Sequence, residues 1–161
     1  MEEVPVAADE NPETVLVLDA RGQFLPMSTQ ALTLSDAAER RIEELYLGAV
    51  LIYRNGEVRR IDQIEFDGPW GDTIWRRLLS ALNKVRRITV QLADLPSYTL
   101  SEIKEIVSAG LSRDSQLPDP FFRLTAPLPE VLGLVDSATT CEEIFTAIGV
   151  PEPRNALDSL C

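Results

Sequence analysis

Ala49-Val50-Leu51-Ile52-Tyr53-Arg54-Asn55-Gly56-Glu57-Val58 is the stretch that decides the fold class of this chain. Two apolar runs meet there at Asn-Gly, a pair that accepts the positive φ needed at both central positions of a type I′ turn. Residues 49–53 and 58–66 therefore read as the arms of a β-hairpin. The second arm does not alternate cleanly: Val58, Ile61 and Ile64 stand three apart, whereas Ile64 and Phe66 stand two apart. That irregularity implies a β-bulge near Arg59-Arg60.

Upstream of the hairpin, Val15-Leu16-Val17-Leu18 is short, continuously apolar and closed by Asp19 and Arg21-Gly22, the pattern of a buried strand. A long connection containing Pro26 runs from there to about Thr33. Thr33 and Asp36 have the spacing of a capping box, and Ala38, Ile42 and Leu45 recur at helical intervals, so a helix is expected over 34–46. Downstream, Asp67-Gly68-Pro69-Trp70-Gly71 reads as a loop leading to Asp72 as N-cap. Ile74, Trp75, Leu78, Leu79, Leu82 and Val85 then give the next helix a broad face expected to lie in the core. Ile88, Val90 and Leu92 alternate with polar residues over a strand at 86–92. Thr99 with Glu102 caps a helix carried by Leu100, Ile103, Val107 and Leu111.

This order predicts an α+β fold, a ferredoxin-like βαββαβ sandwich with a four-stranded, mainly antiparallel sheet and helices on one face. Residues 14–111 form the expected core domain. Residues 1–13, acidic and without apolar period, read as a disordered tail. Residues 112–161 read as a proline-containing strap and short helices, over 127–134 and 141–148, packing on the core. Phe121 and Phe122 in the strap require burial, and Thr140 with Glu143 caps the second short helix.

Composition bounds the function. A chain of 161 residues, 45% apolar and 25% charged, fits one globular domain. No apolar run approaches the ~20 residues that cross a bilayer, and the start of the chain is acidic, so a cytoplasmic protein without a membrane partner is expected. Histidine is absent, which excludes a Ser/His/Asp triad, a Cys/His pair, a zinc HExxH site and a histidine base. No glycine-rich nucleotide loop occurs, and Cys141 and Cys161 lack metal-ligand spacing. No cofactor and no metal are expected. Cys141, at a helix start beside Glu142 and Glu143, reads as an inert thiol.

The net charge of −11 is unevenly placed: residues 1–19 hold six acids and no base, and 88–161 eleven acids against four bases, but 54–87 hold eight bases against five acids. Arg76, Arg77 and Lys84 fall away from the apolar face of their helix, and Arg87 prolongs that charge into the next strand. Such arginines suit bidentate contact with carboxylates or phosphates, or pairing with the chain's own acids. Trp70 suits an exposed anchor or a tuck beneath the helix beside Trp75. Asp62, Glu65 and Asp67 have the chemistry of a cation or acid–base site, and equally suit turns and pairing with nearby arginines. The first strand has no aromatic and the third only Phe66, so base stacking, and with it nucleic acid, is not expected.

The function expected from these features is a non-enzymatic protein-binding module. By physical analogy with immunity proteins it would be an acidic inhibitor that neutralises a basic partner through electrostatic complementarity. Arg76, Arg77, Lys84, Arg87, Trp70, Asp62, Glu65 and Asp67 are the candidate contact residues. A homo-oligomeric regulatory or assembly domain is the alternative, and a small enzyme working with carboxylates and arginines the third reading.

Overall fold

The computed structural model describes residues 4–5, 13–29, 32, 34–35, 39–69, 73–82, 86–95 and 98–150. In chain order these form β1 (Val4–Pro5), β2 (Thr14–Leu18), β3 (Phe24–Ser28), β4 (Leu34–Ser35), α1 (Glu39–Tyr46), β5 (Val50–Ile52) and β6 (Val58–Pro69). Then come α2 (Ile74–Leu82), β7 (Arg86–Asp94), α3 (Leu100–Asp114), α4 (Leu128–Ser137) and α5 (Cys141–Ile148). The fold is α+β. Five strands make an antiparallel sheet in the order β7-β6-β5-β2-β3, and the two-residue strands β1 and β4 pair with the remaining edge of β7.

That order is not the ferredoxin-like interleaving. The difference comes from β3, a strand lying inside the stretch read as a connection. It runs antiparallel to β2 along one side, and β5 runs antiparallel to β2 along the other, so β2 lies between two strands of the same direction. Pro26 sits opposite Leu16 in this pair, tolerated because among the described residues β3 ends the sheet and no strand bonds its far side. The β2–β3 turn and the β5–β6 turn share one design. Asp19 N–H donates to the Gln23 carbonyl and Gly22 N–H to the Asp19 carbonyl, as Tyr53 N–H donates to Glu57 and Gly56 N–H to Tyr53, all at 2.9–3.0 Å. Each is a three-residue loop whose last residue is a glycine at positive φ, 80° at Gly22 and 91° at Gly56. This replaces the two-residue type I′ turn expected at Asn55-Gly56.

The bulge lies in the second arm but not at Arg59-Arg60. The register between β6 and β7 slips between Ile61 and Gln63, which leaves Asp62 as the extra residue. The slip lets Ile61, Ile64 and Phe66 face the same side despite their 3-then-2 spacing, and all three pack with Ile88, Val90 and Leu92. A second irregularity separates Phe66 from Pro69.

β2 shows why its run is apolar throughout. Leu16 joins Phe24, Ile52 and Val58 in a core with α3, α4 and α5, whereas Val15 and Val17 join Leu51, Ile61 and Val90 in a core on the opposite face. Tyr46 of α1 packs against that second core, so the helices are divided between the two faces of the sheet rather than gathered on one. The Thr99–Glu102 capping box forms, and Thr140 accepts the Glu143 N–H at the start of α5. Asp114, at the end of α3, receives the Phe121 and Phe122 N–H groups on its two carboxylate oxygens at 2.9 and 3.1 Å. The strap is thereby folded back, Phe122 stacks on Phe24 with ring centroids 5.2 Å apart, and Phe121 stays exposed.

Three expected features differ or fall outside the described residues. The helix expected from residue 34 begins at Glu39, because Leu34–Ser35 pair with β7; Thr33 and Asp36, its expected capping pair, are not described. Asp72 is also outside, and Thr73 accepts the Arg76 N–H at 3.2 Å as the cap of α2. Of the stretch 1–13, Val4–Pro5 and Glu13 are described, and Val4 lies opposite Leu92.

Candidate functional site

β6 and β7 outrun the sheet. β5 pairs with residues 58–60 of β6, so beyond Ile61 β6 and β7 continue together as a ribbon from the Gln63–Gln91 rung to the Pro69–Arg86 rung, about 20 Å of extended chain, with the two-residue strands β1 and β4 on the outer edge of β7 at residues 91–92 and 86–87. Apolar side chains line one face of this ribbon, with Ile64 and Phe66 opposite Val90 and Ile88. On the other face Glu65 accepts from Gln91 Nε2 at 3.3 Å, and Asp67 accepts from Thr89 Oγ1 at 2.9 Å. α2 joins the far ends of the two strands.

Among the described residues the apolar face of α2 joins neither core. Ile74 is 85% exposed, Trp75 75%, Leu78 49%, Leu79 57% and Leu82 72%. This corrects the expectation that the face is buried. Period 3.6 identifies which side chains share a face, and in most surface helices that face meets a core. Among the described residues no side chain of α2 belongs to either core, so the same period produces an exposed stripe. At 100° per residue, Ile74, Leu78, Leu82, Trp75 and Leu79 cover an arc of about 140°, with Arg77 about 60° beyond one margin and Arg76 about 60° beyond the other. Both arginines are exposed. Isolated apolar side chains on a surface are ordinary, but five large ones on one helical stripe form a contiguous patch of the kind that marks an interaction surface.

The other candidate residues divide between this end of the molecule and the area outside the described residues. Arg87 is exposed on β7, on the same side of the strand as Thr89 and Gln91. Trp70 and Lys84 are not described. Asp62, at the bulge, forms an ion pair with Arg60 at 2.7 Å, and this hydrogen bond raises the Arg60 pKa further. Glu65 and Asp67 share the polar face of the ribbon, already engaged by Gln91 and Thr89. Among the described residues no group of three His, Cys, Asp or Glu side chains is placed to hold a metal ion. The arrangement combines an exposed apolar stripe, arginines beyond its margins and hydrogen-bonded carboxylates.

Cys141 lies elsewhere. Its thiol donates to the Tyr53 carbonyl at 3.4 Å beneath the β5–β6 turn, and burial pushes its pKa up to about 11, against the smaller opposing influences of a hydrogen bond with Gly56 and the charge of Arg54. It packs as an apolar side chain. Arg54 and Arg59, both from the basic central segment, are structural too. The Arg54 guanidinium covers the Phe145 ring at 5.2 Å and donates to the Val150 carbonyl. Arg59 covers Tyr53 at 5.3 Å and pairs with Glu57 and Asp94. No helix among the described residues is long and apolar enough to cross a membrane.

No family model, curated protein or solved structure matches this chain.

Proposed function

We propose that this protein is a non-enzymatic protein-binding module that uses α2, held at the end of the β6–β7 ribbon, as its contact element. One observation carries the reading: Ile74, Trp75, Leu78, Leu79 and Leu82 form a continuous stripe that the fold leaves in solvent. Leaving this apolar area in water forgoes roughly 25 cal/mol per Å2 of burial free energy, which a docking partner recovers. Trp75 with its arginine neighbours also has the composition of an interface hot spot. The net acidity behind the expectation of a basic partner lies mostly outside α2. The contact role therefore falls to the basic segment and not to the acidic remainder.

Site-specific photocrosslinking tests this reading. A photoreactive residue at Leu79 is expected to give one discrete adduct in the native cell, lost when Leu78→Asp is added. The same reactive residue at Gly133, exposed on α4, is expected to give none. Purification from the crosslinked protein's side should recover the same pair. Equal adducts from both positions, or none from Leu79, would remove the reading.

A further inference from the structure

We infer that the partner of α2 is a second copy of this chain, the two helices packing face to face and antiparallel about a twofold axis at Leu78. The inference rests on the docking role proposed for α2 and names what docks there.

Area is the first argument. The exposures of Ile74, Trp75, Leu78, Leu79 and Leu82 leave roughly 700 Å2 of the stripe in water, close to the ~800 Å2 per partner of a standard stable interface. Two copies together hold about 1,400 Å2, above the ~1,000 Å2 that a specific contact must clear. Composition is the second. Every residue within the arc of the stripe is apolar, whereas Arg76 and Arg77 lie on the far side, about 130° from the middle of the arc. Each of these arginines already interacts within the chain, and contact through the stripe leaves both where they are. The arc thus holds no polar group with which to read a foreign sequence, and contacts between identical subunits are the more apolar, charge-depleted class.

The pattern is also its own complement. Leu78 is the middle residue of Ile74–Leu82, with Ile74 one four-residue step before it and Leu82 one step after. A twofold axis crossing the helix at Leu78 sets Leu78 against its own copy, and Ile74 against Leu82 of the second copy in both directions, as an isologous contact requires. Trp75 and Leu79 share one flank, about 4.5 Å before and about 1.5 Å after Leu78 along the axis, so they interleave with the second copy's Leu79 and Trp75. Among the described residues the other exposed large apolar side chains, Leu47, Tyr98, Leu117, Phe121 and Leu134, stand one or two to a segment, so a second copy offers the stripe no comparable patch except its own α2. The contact therefore closes as a dimer and does not run on as a filament. One short helix per copy lies at the small end of stable interfaces, so dissociation in the micromolar range is expected, and dilute protein unfolds as single copies.

Sedimentation equilibrium of the full chain is the test. The average mass is expected to rise from one chain to two between about 1 and about 200 µM and to go no higher. Leu78→Asp should hold it at one chain throughout, with folding checked by circular dichroism. If Leu78→Asp does not fold, Ile74→Ser/Leu78→Ser/Leu82→Ser carries the comparison. Geometry is read in a Cys161→Ser background under mild oxidation with diamide. Leu78→Cys should give a disulfide-linked dimer, and Ile74→Cys should couple to Leu82→Cys about fivefold faster than to itself, because only the antiparallel pairing brings those two positions within disulfide reach. A chain that stays single across the range, a dimer that survives Leu78→Asp, assembly beyond two copies, or Ile74→Cys coupling equally fast to itself overturns the inference. If the chain stays single, a Leu79 adduct with a different protein leaves the docking reading standing, and the absence of any adduct overturns that reading as well. A single chain that pellets with vesicles of phosphatidylcholine and phosphatidylserine, and ceases to do so with Leu78→Asp, assigns the face to a bilayer and overturns the inference.

Discussion

The ring of Phe24 on β3 occupies the space that a side chain at Gly110 on α3 would need: a Cβ built on Gly110 would lie 2.8 Å from the Phe24 Cβ and closer still to the ring. A glycine inside a helix costs about 1 kcal/mol relative to alanine, and here the close approach of α3 to β3 is what that cost secures. Gly110→Ala is expected to destabilise the protein by about 1–3 kcal/mol through overpacking, despite its better helix propensity. Urea denaturation measures it. A neutral or stabilising Gly110→Ala would show that α3 and β3 are not so close.

The exposed stripe of α2 predicts an absence of effect where periodicity alone predicts a large one. Replacing Ile74, Leu78 and Leu82 together by serine should change unfolding free energy by about 0.5 kcal/mol per site or less, since surface substitutions rarely do more. Ile144→Ala, in the core beneath the sheet, should cost about 2–5 kcal/mol. A collapse of the triple variant comparable to Ile144→Ala would place the stripe in a core after all.

Asp114 holds the strap through both carboxylate oxygens, at the Phe121 and Phe122 amides. Asp114→Asn keeps one acceptor and turns the other into a donor aimed at a donor. A loss of about 1–3 kcal/mol is expected, as for a buried hydrogen-bonding group left unpaired. Limited proteolysis should then cut between Ser115 and Phe121 faster than in the parent chain, because the Phe24–Phe122 stack loses its tether. Unchanged cleavage would show that the stack alone holds the strap.

Glu143 predicts a pH dependence with a definite sign. The Thr139 backbone N–H donates to its carboxylate first in importance, then the Thr139 hydroxyl, then the Thr140 backbone and the charge of Lys104. Together these hold its pKa below the ordinary glutamate value. A carboxyl whose folded pKa is depressed contributes stability above its unfolded pKa, near 4.3, and loses it as pH falls through the lower folded value. Glu143→Gln should therefore flatten the fall of stability below about pH 4.3 and leave the slope above pH 6 unchanged. Thermal melts across that range decide it.

Cys141 has the opposite sign. Burial raises its thiol to about pKa 11, so the folded state retains a proton that the unfolded chain releases near pH 8.5, and this contribution to stability falls as pH rises toward 11. In a Cys161→Ser background, alkylation by iodoacetamide at pH 8 should be far slower in the native protein than in urea. Equal rates would remove the buried position.

The end of the molecule that carries the candidate site was partly legible. The run of bases, the helical stripe and the exit from the hairpin are all patterns of neighbouring residues, so each could be read from the chain. What covers a stripe is not a local property. Trp75 and Leu78 have the same period whether a sheet or water lies opposite, and the tertiary structure decides which. β3 escaped for a related reason: Phe24-Leu25-Pro26-Met27-Ser28 contains the one residue that disqualifies a central strand, and its place at the sheet edge, where proline is harmless, is a tertiary fact. The caps at Thr99 and Thr140 are legible in the chain because a cap is satisfied within four residues of itself.

The sequence by itself determined the elements whose causes are local: the apolar run of β2, the glycine turn at Gly56, the irregular spacing that demands a bulge in β6, the capped helices α3 and α5, and the absence of histidine chemistry. The tertiary structure alone decided the order of strands, the division of the helices between two cores, the place of the bulge at Asp62 and the exposure of α2. Those properties depend on contacts between residues distant in the chain, where burial of one face is settled by whichever element arrives opposite it. Periodicity marks out an apolar face, and the neighbour that meets it, or its absence, makes that face core or contact surface.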